Sequence, residues 1–60
     1  MNKDKIRRQI LAIRDSGEVN MLDVDTVQSI ANRECFFELV IFIEENKKEY
    51  VRFVFTGELR

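Results

Sequence analysis

The chain has 60 residues, of which 45% are hydrophobic and 35% charged, with two glycines and no proline. This apolar content excludes a disordered tail, and the length predicts a single domain over residues 1–60. The net charge is −1, but residues 1–16 hold five basic and two acidic side chains, a net of +3. That basic segment is small beside the phosphate contacts that drive DNA affinity, so nucleic acid is not the expected partner.

The chain contains one cysteine, Cys35, and no histidine. An internal disulfide is therefore impossible, the usual zinc ligand sets are missing, and no residue is present to deprotonate a serine or cysteine nucleophile near pH 7. Carboxylate pairs such as Glu34 with Glu38, or Glu44 with Glu45, would need burial in a cleft to act as an acid and a base. The sequence thus predicts no metal, no cofactor and no enzymatic activity.

The longest apolar run, Leu39 to Ile43, is far shorter than the roughly 18 residues that a membrane span requires. The first 14 residues mix basic and apolar side chains, without the separate hydrophobic region and small-residue cleavage site of a signal peptide. These features predict a cytoplasmic protein that does not contact a membrane.

An amphipathic helix is predicted over residues 3–15. Its inward face comprises Ile6, Ile10 and Ile13. Gly17 provides the stop, because glycine adopts the left-handed conformation that closes a helix. Leu11 lies about 140° from Ile6 on the helical wheel, outside the isoleucine stripe. We therefore expect Leu11 to face a second surface.

A second helix is predicted from Val24 to Arg33, with Asp23 as its N-cap. The carboxylate of Asp23 is suited to accept the free amide hydrogens of the first helical turn. Apolar side chains recur at helical spacing on one face of this helix, which is expected to turn inward. That face consists of Val24, Val27, Ile30 and Ala31.

The last third of the chain fits two secondary structures. Residues 36–43 form an almost continuous apolar run, compatible with a buried strand or a buried helix, and residues 50–56 alternate well enough for a strand. A C-terminal hairpin over residues 37–56 would make the fold α+β. The connecting segment 44–49 lacks glycine and is rich in helix formers, so we favour helix, continuous or broken near Asn46. The predicted fold is therefore all-α, a compact bundle of three to four short helices.

The segment from Asp23 to Glu45 resembles a helix-turn-helix, in which Cys35 stands where the turn glycine is usual. The second helix of such a motif reads DNA with side chains that reach base edges and phosphates. Here that helix would be the apolar and acidic stretch 36–45, which phosphates would repel. We therefore expect a helical scaffold in this region and keep a small helix-turn-helix-like DNA-binding regulator as the alternative function.

All six aromatic residues lie within residues 36–55, together with six aliphatic ones. A monomer of this length has too little interior for so many large side chains, and no disulfide or metal supplements its core. The surplus is expected to form an interface, first with a second copy in a homodimer and then with a host protein. The candidate interface residues are Leu11, Phe36, Phe37, Ile41, Phe42, Tyr50, Phe53 and Phe55.

Five segments carry a resemblance to a known family: Ile10–Gly17, Val27–Ala31, Glu38–Val40, Ile43–Glu45 and Phe55–Glu58. In these segments the chain resembles a family of very short proteins of unknown function from phages and prophages of Gram-positive bacteria. Proteins of this kind include inhibitors of bacterial defence systems, of which the Hachiman anti-defence protein is comparable in size. The resemblance implies a phage or prophage accessory protein in the bacterial cytoplasm, a protein-binding module that inhibits a defence system directly, and it brings no catalytic residues.

Overall fold

A computed structural model describes residues 2–57 as four helices: α1 (Lys3–Ser16), α2 (Val24–Arg33), α3 (Phe37–Glu45) and α4 (Lys47–Thr56). No strand occurs in residues 2–57, which confirms the all-α prediction and shows the alternative hairpin over residues 37–56 to be wrong. Within the same residues, none of the helices is long and apolar enough to cross a membrane. Glu58, which belongs to the last family-like segment, lies outside the described residues.

The first helix, α1, begins and ends as its sequence predicts. The Asn2 side chain accepts a hydrogen bond from the backbone N–H of Lys5 at 3.1 Å, which caps the first turn. Gly17 adopts a left-handed φ of 69°, and its N–H bonds to the carbonyl of Arg14. The predicted inward side chains are each at most 2% exposed: Ile6, Ile10 and Ile13.

The second helix, α2, spans the predicted residues, and Asp23 is its N-cap. The Asp23 carboxylate accepts a hydrogen bond from the backbone N–H of Thr26 at 3.5 Å and another from the Thr26 hydroxyl at 2.8 Å. Both bonds hold the first turn in place. The predicted inward face is buried at Val27, Ile30 and Ala31 and half-buried at Val24.

The third and fourth helices are separated at Asn46, whose φ of −138° and ψ of 50° depart from helical values. A continuous helix over residues 37–56 would be about 30 Å long, whereas the largest extent of the molecule is 24 Å. The break lets α4 turn back, so that Tyr50 and Phe53 join Leu39 of α3 in one core. Of the two helical possibilities predicted, the one broken near Asn46 is therefore correct.

The core is organised around α3, which packs against α1, α2 and α4. All four helices contribute to a single cluster of buried apolar side chains, in which Leu39, Phe42 and Ile43 represent α3. The other three helices cover part of the surface of α3, and the side that they leave uncovered faces solvent.

The start of α3 is capped from another helix. Phe36 occupies its N-cap position and makes no side-chain cap bond. Gln9 of α1, only 8% exposed, accepts a hydrogen bond from the backbone N–H of Leu39 at 3.1 Å and donates one to the Glu38 carboxylate at 3.2 Å. One buried amide thus satisfies two groups at the start of α3 and ties α1 to that helix.

Candidate functional site

The eight candidate interface residues separate by burial into three groups. Phe42, Tyr50 and Phe53 are at most 6% exposed and belong to the core, so the interface predicted for Phe42 and Tyr50 is corrected, whereas Phe53 also lines a groove described below. Phe42 lies on the buried side of α3, and Tyr50 and Phe53 are buried because the chain turns back at Asn46. The remaining candidates are half-buried at Leu11 and Phe36 and exposed at Phe37, Ile41 and Phe55.

Tyr50 has a structural role. Its side chain is fully buried, and its hydroxyl donates a hydrogen bond to the backbone carbonyl of Met21 at 2.7 Å. Burial raises the pKa of this phenol to about 12. The bond fastens the loop between α1 and α2 to α4.

An open groove lies between α1 and α4, two helices that pack mainly on α3 rather than on each other. The volume of this groove is about 230 Å³. The α1–α4 groove is lined by Arg7, Ile10, Leu11, Arg14, Met21, Phe53, Val54 and Gly57. Leu11, which the sequence predicts to face a second surface, is one of these lining residues.

The floor of the α1–α4 groove is apolar. Ile10 and Phe53 are buried beneath it, and Leu11, Met21 and Val54 are half-buried around them. Such a patch matches the apolar centre of a protein interface, which is covered when a partner docks.

The α4 wall of the groove continues onto exposed surface. On the helical wheel Val51 lies about 60° from Val54, and Phe55 lies about 40° further in the same direction. Val51 is half-buried, whereas Phe55 is 72% exposed. An apolar strip therefore runs from the groove across α4 to a protruding aromatic ring.

The α1 wall of the groove carries two arginines. Arg7 and Arg14 flank Leu11 at helical spacing, and their side chains are 51% and 63% exposed. Arg7 pairs with Asp4 at 2.7 Å, whereas Arg14 approaches Asp15 only at 3.9 Å. The sequence analysis did not place these two arginines at a protein interface, although their spacing with Leu11 at i, i+4 and i+7 was the signal for it.

A second exposed surface lies on α3, opposite its buried side. Phe37 and Ile41 are one helical turn apart and are 53% and 49% exposed. Glu44 and Glu45 follow on the same side and are exposed as well. The Glu44 carboxylate accepts a hydrogen bond from the Gln28 side chain at 3.0 Å. We refer to Phe37, Ile41, Glu44 and Glu45 as the α3 face.

Phe36 lies at the border between the core and the surface. It is half-buried, packs against the core and lines two shallow cavities beside Ala12 of α1. One of these cavities is also lined by Lys5 and Arg8. Cationic side chains of α1 therefore lie near the N-terminal end of α3.

Glu38 is the acidic side chain with the most hydrogen-bond partners at the start of α3. The Glu38 carboxylate is hydrogen-bonded by its own backbone N–H, by Gln9 and by Lys5, and these bonds hold its pKa below the usual range. A carboxylate that is ionised in this way is not a general acid near pH 7. Within residues 2–57, no three His, Cys, Asp or Glu side chains are grouped as a metal site requires.

The turn between α2 and α3 is a common helix C-cap with one left-handed residue. Cys35 has a left-handed φ of 61°, the only positive φ outside glycine in residues 2–57. The N–H of Phe36 closes the turn by bonding to the carbonyl of Ala31 at 2.7 Å. The following helix presents Phe37 and Ile41, where a DNA-reading helix carries polar or basic groups.

Neither a curated protein nor a solved structure matches this chain significantly. A family model does match it: DUF5049, a domain of unknown function, over residues 1–58. Since this match spans nearly the whole sequence, the chain belongs to the DUF5049 family.

Proposed function

We propose that this protein is a non-enzymatic protein-binding module that holds its partner in the α1–α4 groove. The observation that carries this proposal is the apolar strip from Leu11 across Val54 to Phe55, which ends in a ring that is 72% exposed. Exposure of a phenylalanine does not stabilise the isolated chain, whereas aromatic side chains are enriched where proteins meet.

The partner that fits this groove is a protein segment with apolar and acidic side chains. Its apolar groups would cover Leu11 and Phe55, and its carboxylates would face Arg7 and Arg14. Arg14 contributes most to this selectivity, because its nearest carboxylate within residues 2–57 is only at 3.9 Å.

The resemblance to short phage and prophage proteins supports a more specific role. In that role the protein is a phage or prophage accessory protein that works as a homodimer in the cytoplasm of a bacterial host. It inhibits a bacterial defence system by binding one of its components, a role comparable to that of the Hachiman anti-defence protein. Occlusion of a surface requires shape and affinity only, so the absence of histidine from the chain is no obstacle.

The test is phage plating efficiency on strains that carry single defence systems, Hachiman among them, with the chain expressed in the same cells. Wild type is expected to restore plating on one of these strains, and Phe55→Ala is expected to lose that effect. Leu22→Ala is the matched control, because Leu22 is 46% exposed but lies outside the groove and the α3 face. Glu38→Gln is expected to keep the effect, as a binding mechanism requires.

Three results would contradict these proposals. Equal activity of wild type and Phe55→Ala would exclude the apolar strip from Leu11 to Phe55 as the binding surface. Loss of activity in Glu38→Gln, with the fold intact by circular dichroism, would point to chemistry rather than binding. Failure of wild type on every strain would exclude the anti-defence role.

The DNA-binding alternative rests on the resemblance of the segment from Asp23 to Glu45 to a helix-turn-helix, since the left-handed Cys35 in its turn also fits an ordinary helix C-cap. The sequence of α3, Phe37 to Glu45, opposes it with three glutamates and no basic residue. Duplex DNA binding measured at rising salt decides between the two functions. A steep loss of affinity with salt that becomes shallower in Arg8→Ala would establish DNA binding, and absence of binding at low salt would exclude it.

A further inference from the structure

We propose that the α3 face is the homodimer interface, and that a second copy of the chain docks there with its α3 antiparallel to the first. This inference rests on the homodimer of the proposed function and specifies its surface. It leaves the α1–α4 groove free for the host protein, so the two proposals are open to separate tests.

The centre of the α3 face is apolar. Phe37 and Ile41 lie one turn apart on the side of the helix away from Leu39, and each is about half exposed. In an antiparallel pair related by a two-fold axis, Phe37 of one copy meets Ile41 of the other, and the same contact recurs on the opposite side of the axis. Two apolar contacts of this kind form from a single surface.

The C-terminal end of the α3 face is acidic. Glu44 and Glu45 occupy the C-terminal end of α3, where no basic residue is present in the last turn and the helix dipole disfavours acidic groups. Within residues 2–57, Glu45 has no cationic group within 4.0 Å. These carboxylates therefore do not stabilise the isolated helix.

The N-terminal end of α3 is positive by comparison. Arg8 is exposed beside Phe36, and among residues 2–57 no carboxylate lies within 4.0 Å of it. The first turn of α3 is already occupied by Gln9 and by Glu38, which pairs with Lys5 at 3.1 Å, so the positive charge at this end comes from Arg8 rather than from the helix dipole. Antiparallel docking brings Glu45 of one copy to Arg8 of the other, twice. Parallel docking would instead bring Glu45 of one copy to Glu45 of the other. Repulsion between these like charges favours the antiparallel arrangement.

A stable dimer sets a lower limit on the surface that must be covered. A stable interface buries about 1,200 Å² in total, or about 600 Å² from each partner. The whole chain exposes 4035 Å², so about 15% of its surface must be covered. Val40 and Phe36, both half-buried, border the α3 face, and Val40 lines a cavity with residues of α2 whereas Phe36 lines one with residues of α1.

The test measures self-association by sedimentation equilibrium. It compares the full chain with variants in which the charges near the two ends of α3 are reversed. Wild type is expected to be a dimer that Ile41→Asp converts to monomer. Arg8→Glu and the double variant Glu44→Arg/Glu45→Arg are each expected to weaken self-association by roughly tenfold or more, because like charges then meet at both ends. An equimolar mixture of the two is expected to recover the wild-type affinity, since opposite charges again face each other at both ends.

The controls separate this inference from the groove proposal. Phe55→Ala is expected to leave the dimer unchanged, and each variant is checked for its helical signal by circular dichroism. A wild-type monomer at high micromolar concentration would overturn the inference, as would a dimer that survives Ile41→Asp. If both charge variants self-associate weakly and their equimolar mixture does not regain the wild-type affinity, the antiparallel arrangement is overturned. None of these results bears on the effect of Phe55→Ala on defence inhibition, which tests the apolar strip that ends at Phe55.

Discussion

Replacement of Tyr50 by phenylalanine tests how the loop between α1 and α2 is held. The Tyr50 ring is fully buried, and its hydroxyl donates to the Met21 carbonyl at 2.7 Å. Loss of one partner of a buried hydrogen bond costs about 1–3 kcal/mol. Met21 is half-buried, so water partly replaces the hydroxyl and the lower half of that range, about 1–2 kcal/mol, is expected. The stability of a chain of this length is only about 3–9 kcal/mol, so the change is large.

The assay is thermal and urea unfolding followed by circular dichroism. For a domain of this size each kcal/mol lowers Tm by about 4–8 °C, which predicts a fall of roughly 5–15 °C for Tyr50→Phe. Phe55→Ala is the control, because a side chain that is 72% exposed contributes about 0.5 kcal/mol or less to folding.

The same substitution has a signature at alkaline pH. Burial raises the pKa of Tyr50 to about 12 in the folded chain, above the ordinary value of 10.0 that applies when it is unfolded. A raised pKa means that the contribution of this group to stability is complete below pH 10 and is lost as the pH rises through about 12. The difference in stability between wild type and Tyr50→Phe should therefore shrink over that interval. Equal stability at pH 7, or a difference independent of pH, would refute the argument.

Substitutions at three further positions test individual structural features by urea unfolding. Cys35→Gly should raise stability by about 1 kcal/mol, because glycine adopts the φ of 61° without the steric cost of a side chain, and Cys35→Ala should bring no gain. Asp23→Ala should lower stability by about 1 kcal/mol, because both hydrogen bonds to Thr26 are lost, and an unchanged unfolding midpoint would contradict this. Gln9→Leu should cost about 1–3 kcal/mol, because the Leu39 N–H loses its acceptor, and unchanged hydrogen exchange at that amide would speak against it.

Local sequence was sufficient for the first half of the fold. The isoleucine stripe of α1, the stop at Gly17 and the cap at Asp23 are signals carried by neighbouring residues, and the structure confirms each of them. Such signals act within one or two turns of a helix, so no knowledge of the rest of the chain was needed. Leu11 was likewise placed correctly outside the inward stripe, because its position follows from helical geometry alone.

Only the tertiary structure decided which side chains in the second half of the chain are buried and which are exposed. An apolar run fits a buried strand and a buried helix equally well, and periodicity within it does not show which side chains face a neighbour. The break at Asn46 turned Tyr50 and Phe53 into core residues and left Phe55 outside. Similarly, the cap of α3 comes from Gln9, about thirty residues earlier in the chain than the Leu39 N–H that it accepts from. No local sequence pattern predicts a capping residue at that distance. Burial of an aromatic side chain depends on which helices fold over it, and that is set by packing across the whole molecule.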